Sequence, residues 1–440
     1  MQRSWLSRAG AAALAAAAMS PTSLRALDDS NPTGLITETI ASRERLRDYD
    51  NSKQFGAERV GDRTREYVQP EGIRAGNFLL FPSAETRVIY DDNIFAAPTN
   101  TVDDIRTEIL PSVEVKSFLP RHILNFAFDG RLVSFAENSD QDFADARARF
   151  DGAVHVDHAH TLALSAMTEL AHDERRELSA TRLAAEPVPV HHSKVSAGLT
   201  RDVGRLFGTI SATAERYDYY DVDGFDGGNL DQDFRDTDIL STQLRTGYRI
   251  SPGFEAVGKL KLLRLLNGQS GPSSATATGY EALAGLAFET SPLLRWRILG
   301  GYGIRDYDDA SQETAGATLL EAQVEWLPTE RMTVYGSVSR DINDFSGEGF
   351  NGWVETSLKA RVEYEIYNNL VLKLGANFAQ ADFEGVDRQD KIYSAEIGLE
   401  YYMNKNWLFT FSYEHQERLS SDDIFDMTDN RFMIGAKLRF

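Results

Sequence analysis

The last ten residues, Arg431-Phe432-Met433-Ile434-Gly435-Ala436-Lys437-Leu438-Arg439-Phe440, decide how the rest of the chain is read. Phe432, Ile434, Ala436, Leu438 and Phe440 fall on one side of an extended segment, and Met433, Gly435, Lys437 and Arg439 on the other. A period of two over ten residues is a strand with one apolar face and one polar face. Ten residues is also the length a tilted strand needs to cross a bilayer. A slip of one register would turn Lys437 and Arg439 into hydrocarbon, at about 2–4 kcal/mol each near the midplane.

Working back from this end, the same device recurs. Trp407, Phe409, Phe411 and Tyr413 alternate with Leu408, Thr410, Ser412 and Glu414, and Tyr393, Ala395, Ile397, Leu399 and Tyr401 alternate with Ser394, Glu396, Gly398 and Glu400. Leu370, Leu372, Leu374, Ala376 and Phe378 oppose Lys373, Gly375 and Asn377, while Trp296, Ile298, Tyr302 and Ile304 oppose Arg295, Arg297 and Arg305. Aromatic residues gather near segment ends, as they do at membrane interfaces.

The segments are joined alternately by short turns, centred near Pro120, His158, Val203, Pro252, Ser291, Thr329, Asn368 and Lys405, and by longer acidic loops. The loops cover residues 91–101, 138–143, 173–190, 218–236, 267–278, 306–313, 341–350, 382–389 and 417–429. These breaks imply an all-β, antiparallel, up-and-down transmembrane barrel of about 18 strands over residues 77–440, with short turns on the periplasmic side. A soluble sandwich makes shorter strands and lacks this alternation of turn and loop.

Composition agrees with that reading. Mean hydropathy is −0.37, which alone would suggest a soluble protein, but alternating lipid-facing and lumen-facing residues average to such a value. There is no cysteine, so neither disulfides nor thiolate metal sites hold the fold. The net charge of −21 argues against nucleic-acid binding, which demands basic surface. At the other end, Arg3 and Arg8 precede an Ala/Leu-rich stretch that Pro21 breaks, the order of a secretory signal peptide. We place it at residues 1–26, with cleavage between Ala18 and Ala26. Residues 27–76 are polar and lack alternation, and are read as a short periplasmic extension outside the wall, with a short helix at 35–47.

A barrel of this size leaves an aqueous lumen unless loops or a plug fill it. The inward positions carry both signs of charge: Arg147, Arg149, Lys259, Lys261, Arg295, Arg297, Lys359, Arg361 and Lys373 beside Glu355, Glu363, Glu396 and Glu400. These are the expected pore-lining residues.

Other features receive plainer readings. Residues 253–259 spell Gly-x-x-x-x-Gly-Lys, but Leu260 replaces the hydroxyl residue that would hold magnesium, and no strand-then-helix context surrounds it. His155, His158, His160, His172, His191 and His192 fall near turns and strand ends, too dispersed for a metal site. Asp218, Asp221, Asp223, Asp226, Asp231 and Asp233 form an extracellular acidic loop whose spacing does not match a twelve-residue calcium loop. Neither a Gly-x-Ser-x-Gly elbow nor a His-Glu-x-x-His motif occurs, so no catalytic residue, metal or cofactor is assigned.

Residues 72–82, Gly-Ile-Arg-Ala-Gly-Asn-Phe-Leu-Leu-Phe-Pro, and residues 90–95, Tyr-Asp-Asp-Asn-Ile-Phe, together with the tail, resemble a family of outer-membrane β-barrel porins associated with bacterial exopolysaccharide and capsule export. The resemblance implies an integral outer-membrane channel through which a glycan polymer crosses, with a periplasmic polysaccharide-export protein as partner. It also implies contact with lipid and lipopolysaccharide. The C-terminal strand resembles the signal read by the barrel-assembly machinery, which assigns that role to Phe432, Ile434, Leu438 and Phe440. Two other functions fit the same sequence: a general or sugar-selective diffusion porin, and a plugged barrel acting as a surface scaffold or adhesin.

Overall fold

The structure is a computed structural model describing residues 59–61, 63, 65, 68–267, 276–291, 293–309, 314–344 and 352–440. The expected signal peptide and the helix at 35–47 lie outside the described residues. Eighteen long strands make the wall. They are β1 (Phe78–Asp91), β2 (Asp104–Ser117), β3 (His122–Phe135), β4 (Phe143–His155), β5 (His160–His172), β6 (Pro189–Val203), β7 (Leu206–Tyr219), β8 (Thr237–Ser251) and β9 (Phe254–Asn267). The second half comprises β10 (Ala277–Ser291), β11 (Leu294–Tyr307), β12 (Ala315–Thr329), β13 (Met332–Asn343), β14 (Trp353–Tyr367), β15 (Leu370–Phe383), β16 (Gln389–Tyr402), β17 (Trp407–Ser420) and β18 (Met427–Arg439).

Each strand pairs antiparallel with its neighbours in the chain, and β18 returns to β1 from Asp91↔Arg431 to Ser83↔Arg439, closing the cylinder. Closure removes the free sheet edge that hydrocarbon would not tolerate. The backbone amide of Phe440 finishes the seam on the carbonyl of Pro82 at 3.1 Å. Below that point a short strand, Ile73–Ala75, takes over the edge of β1.

The period of two sets which face meets lipid. On β9, Leu260 and Leu262 are 53% and 55% exposed, whereas Lys259 and Lys261 between them are half-buried and ion-paired. The Gly-x-x-x-x-Gly-Lys string is thus a turn followed by this strand, with Gly253 at the turn in the left-handed region. Phe432, Ile434 and Phe440 are exposed on the outer face, and Leu438 is half-buried beside Trp407.

Ile434 stands in the middle of β18, 60% exposed to the lipid side. Ile434→Arg is expected to destabilise the barrel by about 2–4 kcal/mol, read as a lower denaturant midpoint in bilayer refolding. An unchanged midpoint would mean that this face does not meet hydrocarbon.

Turns are fixed locally. Asp157, between β4 and β5, accepts the amides of Ala159 (2.7 Å) and His160 (2.9 Å) and the His160 ring nitrogen. The Ala159 amide first, then the His160 ring, holds this carboxyl down to about 2.

Candidate functional site

Inward side chains on neighbouring strands stand close enough to pair across the ladder, and charges withdrawn from bulk water are costly unless they do. The lumen follows that rule. On the wall made by β18 and β1 to β3, Glu108 meets Arg131 at 2.9 Å and Arg106 at 3.2 Å, and Arg87 meets Glu85 at 2.6 Å. Asp91 meets Arg431 at 2.8 Å and Arg106 at 3.4 Å.

All the expected pore-lining residues lie on the inward face, though mostly as members of such networks. Lys259 pairs with Glu321, which is three strands away on β12, and Lys261 with Glu281 at 3.4 Å. Arg295 pairs with Glu325 at 3.1 Å, and Arg297 donates to Gln323 at 3.0 Å. Lys373 pairs with Glu400 at 2.5 Å and Arg361 with Glu363 at 3.6 Å. Glu355 accepts the Trp353 indole at 3.3 Å, while Lys359 lies opposite Asn377 and Glu396 opposite Glu414 in the ladders. Arg147 and Arg149 reach Asp129 at 3.6 and 3.1 Å.

The loop between β5 and β6, residues 173–188, was expected among the outer loops. Here it enters the lumen. Arg176 pairs with Glu414 of β17 at 3.2 Å and with Asp429 of β18 at 3.5 Å, and Arg418 of β17 donates back to the Arg176 carbonyl at 3.3 Å. β17 is six strands from β5, a third of the way round the wall, so the loop spans a chord of the cylinder. Glu174 is held by Arg131 at 2.9 Å and Arg431 at 3.4 Å, and Asp173 by Arg235 at 2.5 Å. Farther along, Arg182 donates to the carbonyls of Ile424 and Ala96, tying this loop to two others. Leu178, Ala184 and Val188 belong to an apolar cluster with Tyr217, Leu263, Leu265, Trp353 and Phe383, at the outer ends of the strands.

A second insertion closes in from the other end. The extension expected to stay clear of the wall does not do so over its last described residues. Arg59 pairs with Glu325 at 2.7 Å, the Val60 amide donates to Thr333 Oγ1 at 3.0 Å, and Arg63 and Arg65 both reach Glu365, at 3.2 and 3.1 Å. Arg65 also stacks over Tyr402, and Arg439 donates to the Val68 carbonyl at 2.6 Å. The segment therefore runs along the inner periplasmic rim from β12 to β18. Its arginines find inward carboxylates there, which a surface position would not supply. Glu365→Ala removes the shared acceptor, and trypsin added from the periplasmic side is expected to cut at Arg63 and Arg65 faster than in the native protein. Equal cleavage rates would show that Glu365 does not hold the segment.

The lumen is more accessible along β3 to β5, where the inward charges Arg149, Arg147, Glu169 and Asp129 keep 36%, 22%, 21% and 20% of their side-chain surface accessible, against 0–2% for Asp91, Glu85 and Glu108 on the neighbouring β1 and β2.

The remaining candidates are dispersed. Asp221, Asp231 and Asp233 come together, exposed, at the foot of a small hairpin (Val222–Asp223 with Asn229–Leu230), but Asp226 caps a turn at Gly228 and Asp218 faces Arg216. Asp223 stands in that hairpin opposite Asn229. The histidines go to separate partners: His172 to Asp145, His191 to Thr168, and His192 to Glu169 and Glu215. Arg87, Arg106, Glu108, Glu281 and Glu321 went unassigned in the sequence, although they share the period-2 signal of the assigned residues. Glu174, Arg176 and Arg182 had no such signal, since their partners are defined only across the barrel.

The profile of the family described as "Putative beta-barrel porin 2" matches residues 66–440. No curated protein matches the chain. Among solved structures, Pseudomonas aeruginosa OpdK with vanillate aligns at 12% identity and a TM-score of 0.46, covering 82% of this chain and 99% of that one. P. aeruginosa OccK2 (OpdF) in complex with glucuronate aligns at 9% and 0.47, covering 84% and 100%. Acinetobacter baumannii OccAB4 aligns at 11% and 0.44, covering 82% and 98%. With the family profile spanning the whole closed 18-stranded cylinder, the chain belongs to the "Putative beta-barrel porin 2" family and is an integral outer-membrane β-barrel porin.

Proposed function

We propose that the protein is a diffusion porin for small polar solutes, narrowed by its own 173–188 loop. The observation that carries this reading is the bridge from Arg176 to Glu414 and Asp429, which holds the loop across the lumen. A hydrated polysaccharide chain needs a lumen free along its whole length, whereas small solutes need only the charged passage beside β3 to β5. The polymer-export expectation drawn from the resemblance is therefore set below the diffusion reading. Fixed charges of both signs along that passage replace hydration without a single tight site, as a permeation path requires.

The test is single-channel recording of the refolded full chain in planar bilayers, together with vesicle swelling in sugars of increasing size. Small, steady conductance with entry of monosaccharides and exclusion of oligosaccharides is the expected result. Absence of current would favour the plugged scaffold, and passage of long glycans would favour polymer export.

A further inference from the structure

Tyrosine and tryptophan mark the periplasmic rim of most of this wall and are missing from one sector of it. From Asp91 to Arg216 the chain contains neither residue. That stretch supplies β2 to β6 and the periplasmic half of β7. Elsewhere the periplasmic ends carry a belt on the lipid face: Trp326, Tyr364, Tyr367, Tyr401 and Trp407 are exposed there, and Trp296 stacks on Phe288 with ring centroids 4.0 Å apart. Amphipathic rings of this kind hold a barrel at the level of the lipid headgroups. The bare sector has to be held at that level by something else.

Cations occupy the vacant level. On β6 the lipid face reads Val195, Ala197, Leu199, Arg201, all exposed, so Arg201 stands near the periplasmic end of that face. Its direct partner on β5 is His160. Leu164 and Leu170 show that the even residues of β5, His160 among them, face lipid. By the same alternation Phe128 and Leu132 place His122 on the lipid face of β3. Arg121, His158 and Arg205 are exposed in the turns 118–121, 156–159 and 204–205.

These cations are not spent on one another's neighbours, in contrast to the arginines that fill the lumen. Among the described residues the side chains of Arg121, Arg201 and Arg205 make no hydrogen bond or ion pair. The acids beside them are engaged elsewhere. Asp202 is taken by Arg249 at 2.7 and 2.9 Å. Asp157 accepts the Ala159 and His160 amides, and both its oxygens lie 3.0 Å from His160 Nδ1. That contact fixes the ring and leaves Nε2 as its open nitrogen. The Asp202 amide donates to the Ala159 carbonyl at 2.9 Å, which carries the β5–β6 ladder past this point and sets Arg201 beside His160. Around the cations the same strand ends and turns expose apolar groups: Phe118, Val156, Val203 and Leu206, the second and last at 63% and 60%.

From these observations we propose that the periplasmic ends of β3 to β7 bind an anionic phospholipid of the periplasmic leaflet. The phosphate is held by Arg201, Arg205 and the His160 ring, and the acyl chains lie along Leu199, Val203 and Leu206. Arg121 and His122 extend the cationic strip by three strands, roughly 14 Å at the usual strand spacing. Lipid is the occupant rather than a second copy of this chain, because the same face on a copy would set arginine against arginine in a two-fold contact. The site lies outside the lumen and stands whether or not the diffusion reading holds.

The test is native mass spectrometry of the refolded full chain in detergent, titrated with dioleoyl phosphatidylglycerol or dioleoyl phosphatidylcholine. Phosphatidylglycerol adducts are expected at the lower lipid concentration and should survive activation that strips phosphatidylcholine. Arg201→Gln and Arg205→Gln should each weaken phosphatidylglycerol binding by about fivefold and leave phosphatidylcholine unchanged. Lys391→Gln, which removes a cation at the outer end of β16, should change neither. Raising salt from ~0.05 to ~0.5 M should loosen phosphatidylglycerol alone, a readout on the native chain that needs no variant. Equal binding of the two lipids, phosphatidylglycerol binding that resists salt and both arginine variants, or an equal loss in Lys391→Gln overturns the site. A stable dimer in place of lipid adducts would assign the face to a second copy and overturn it as well.

Discussion

Excision of residues 175–186, joining Glu174 to Pro187, is expected to raise single-channel conductance severalfold and to admit oligosaccharides that the native channel excludes. The strands flanking the loop are already paired at His172↔Pro189, so a short connection suffices and the wall is left intact. What is lost is the chord: Arg176 with its two carboxylates, and the Arg182 tie to the carbonyls of Ile424 and Ala96. Conductance through a water-filled cylinder grows with its narrowest cross-section, and this loop spans a third of the circumference. Arg176→Ala should move conductance in the same direction by less, because Glu174 still holds the loop to Arg131 and Arg431. Conductance unchanged by the excision would place the constriction elsewhere and remove the basis for the diffusion reading.

Asp91→Ala is expected to be the most destabilising single substitution on the inner wall. Asp91 is fully buried and receives Arg431, Arg106 and the Asn93 amide, the last at 3.0 Å. Removing one partner of a buried ionic group strands the others, at about 3–5 kcal/mol. Arg431 retains Asp429 at 3.0 Å and Glu174, which places the loss toward the lower end of that range. Asp91→Asn keeps an acceptor for the Asn93 amide but removes the charge, so it should recover only part of the loss. Denaturant unfolding of the bilayer-inserted protein measures both. A shift under ~1 kcal/mol for the alanine variant, the scale of an exposed ion pair, would show that water reaches this site.

Several structural features follow directly from local residue patterns. Lys437 and Arg439 alternate with Leu438 and Phe440, so the strand must place its basic residues inward, and it does. The short turns at 203–206 and 367–370 and the long loops between them set an antiparallel order that leaves no alternative neighbour for each strand. Lys259 and Lys261 were legible as inward because a strand has only two faces and Leu260 and Leu262 occupied the other. Their pairing partners were less legible, for Glu321 is three strands distant.

Other features had no local signature. Residues 173–188 are acidic, basic and apolar in no regular period, and their composition is that of any solvated loop. Arg176 finds Asp429 across 253 residues of sequence, and Arg63 finds Glu365 across 302. The end of the β12–β13 ladder at Leu320↔Arg340 likewise goes with contacts that Asp344 makes to Arg305 of β11 and Ile342 makes beside Gly303.

The sequence by itself determined the barrel, its eighteen strands, its direction of closure and the face each side chain presents, because the bilayer converts a local period of two into a binary choice of lipid or lumen. Only the tertiary structure decided how that lumen is filled, because this depends on charges and apolar groups that meet across the cylinder, and no neighbour in the chain records such a meeting.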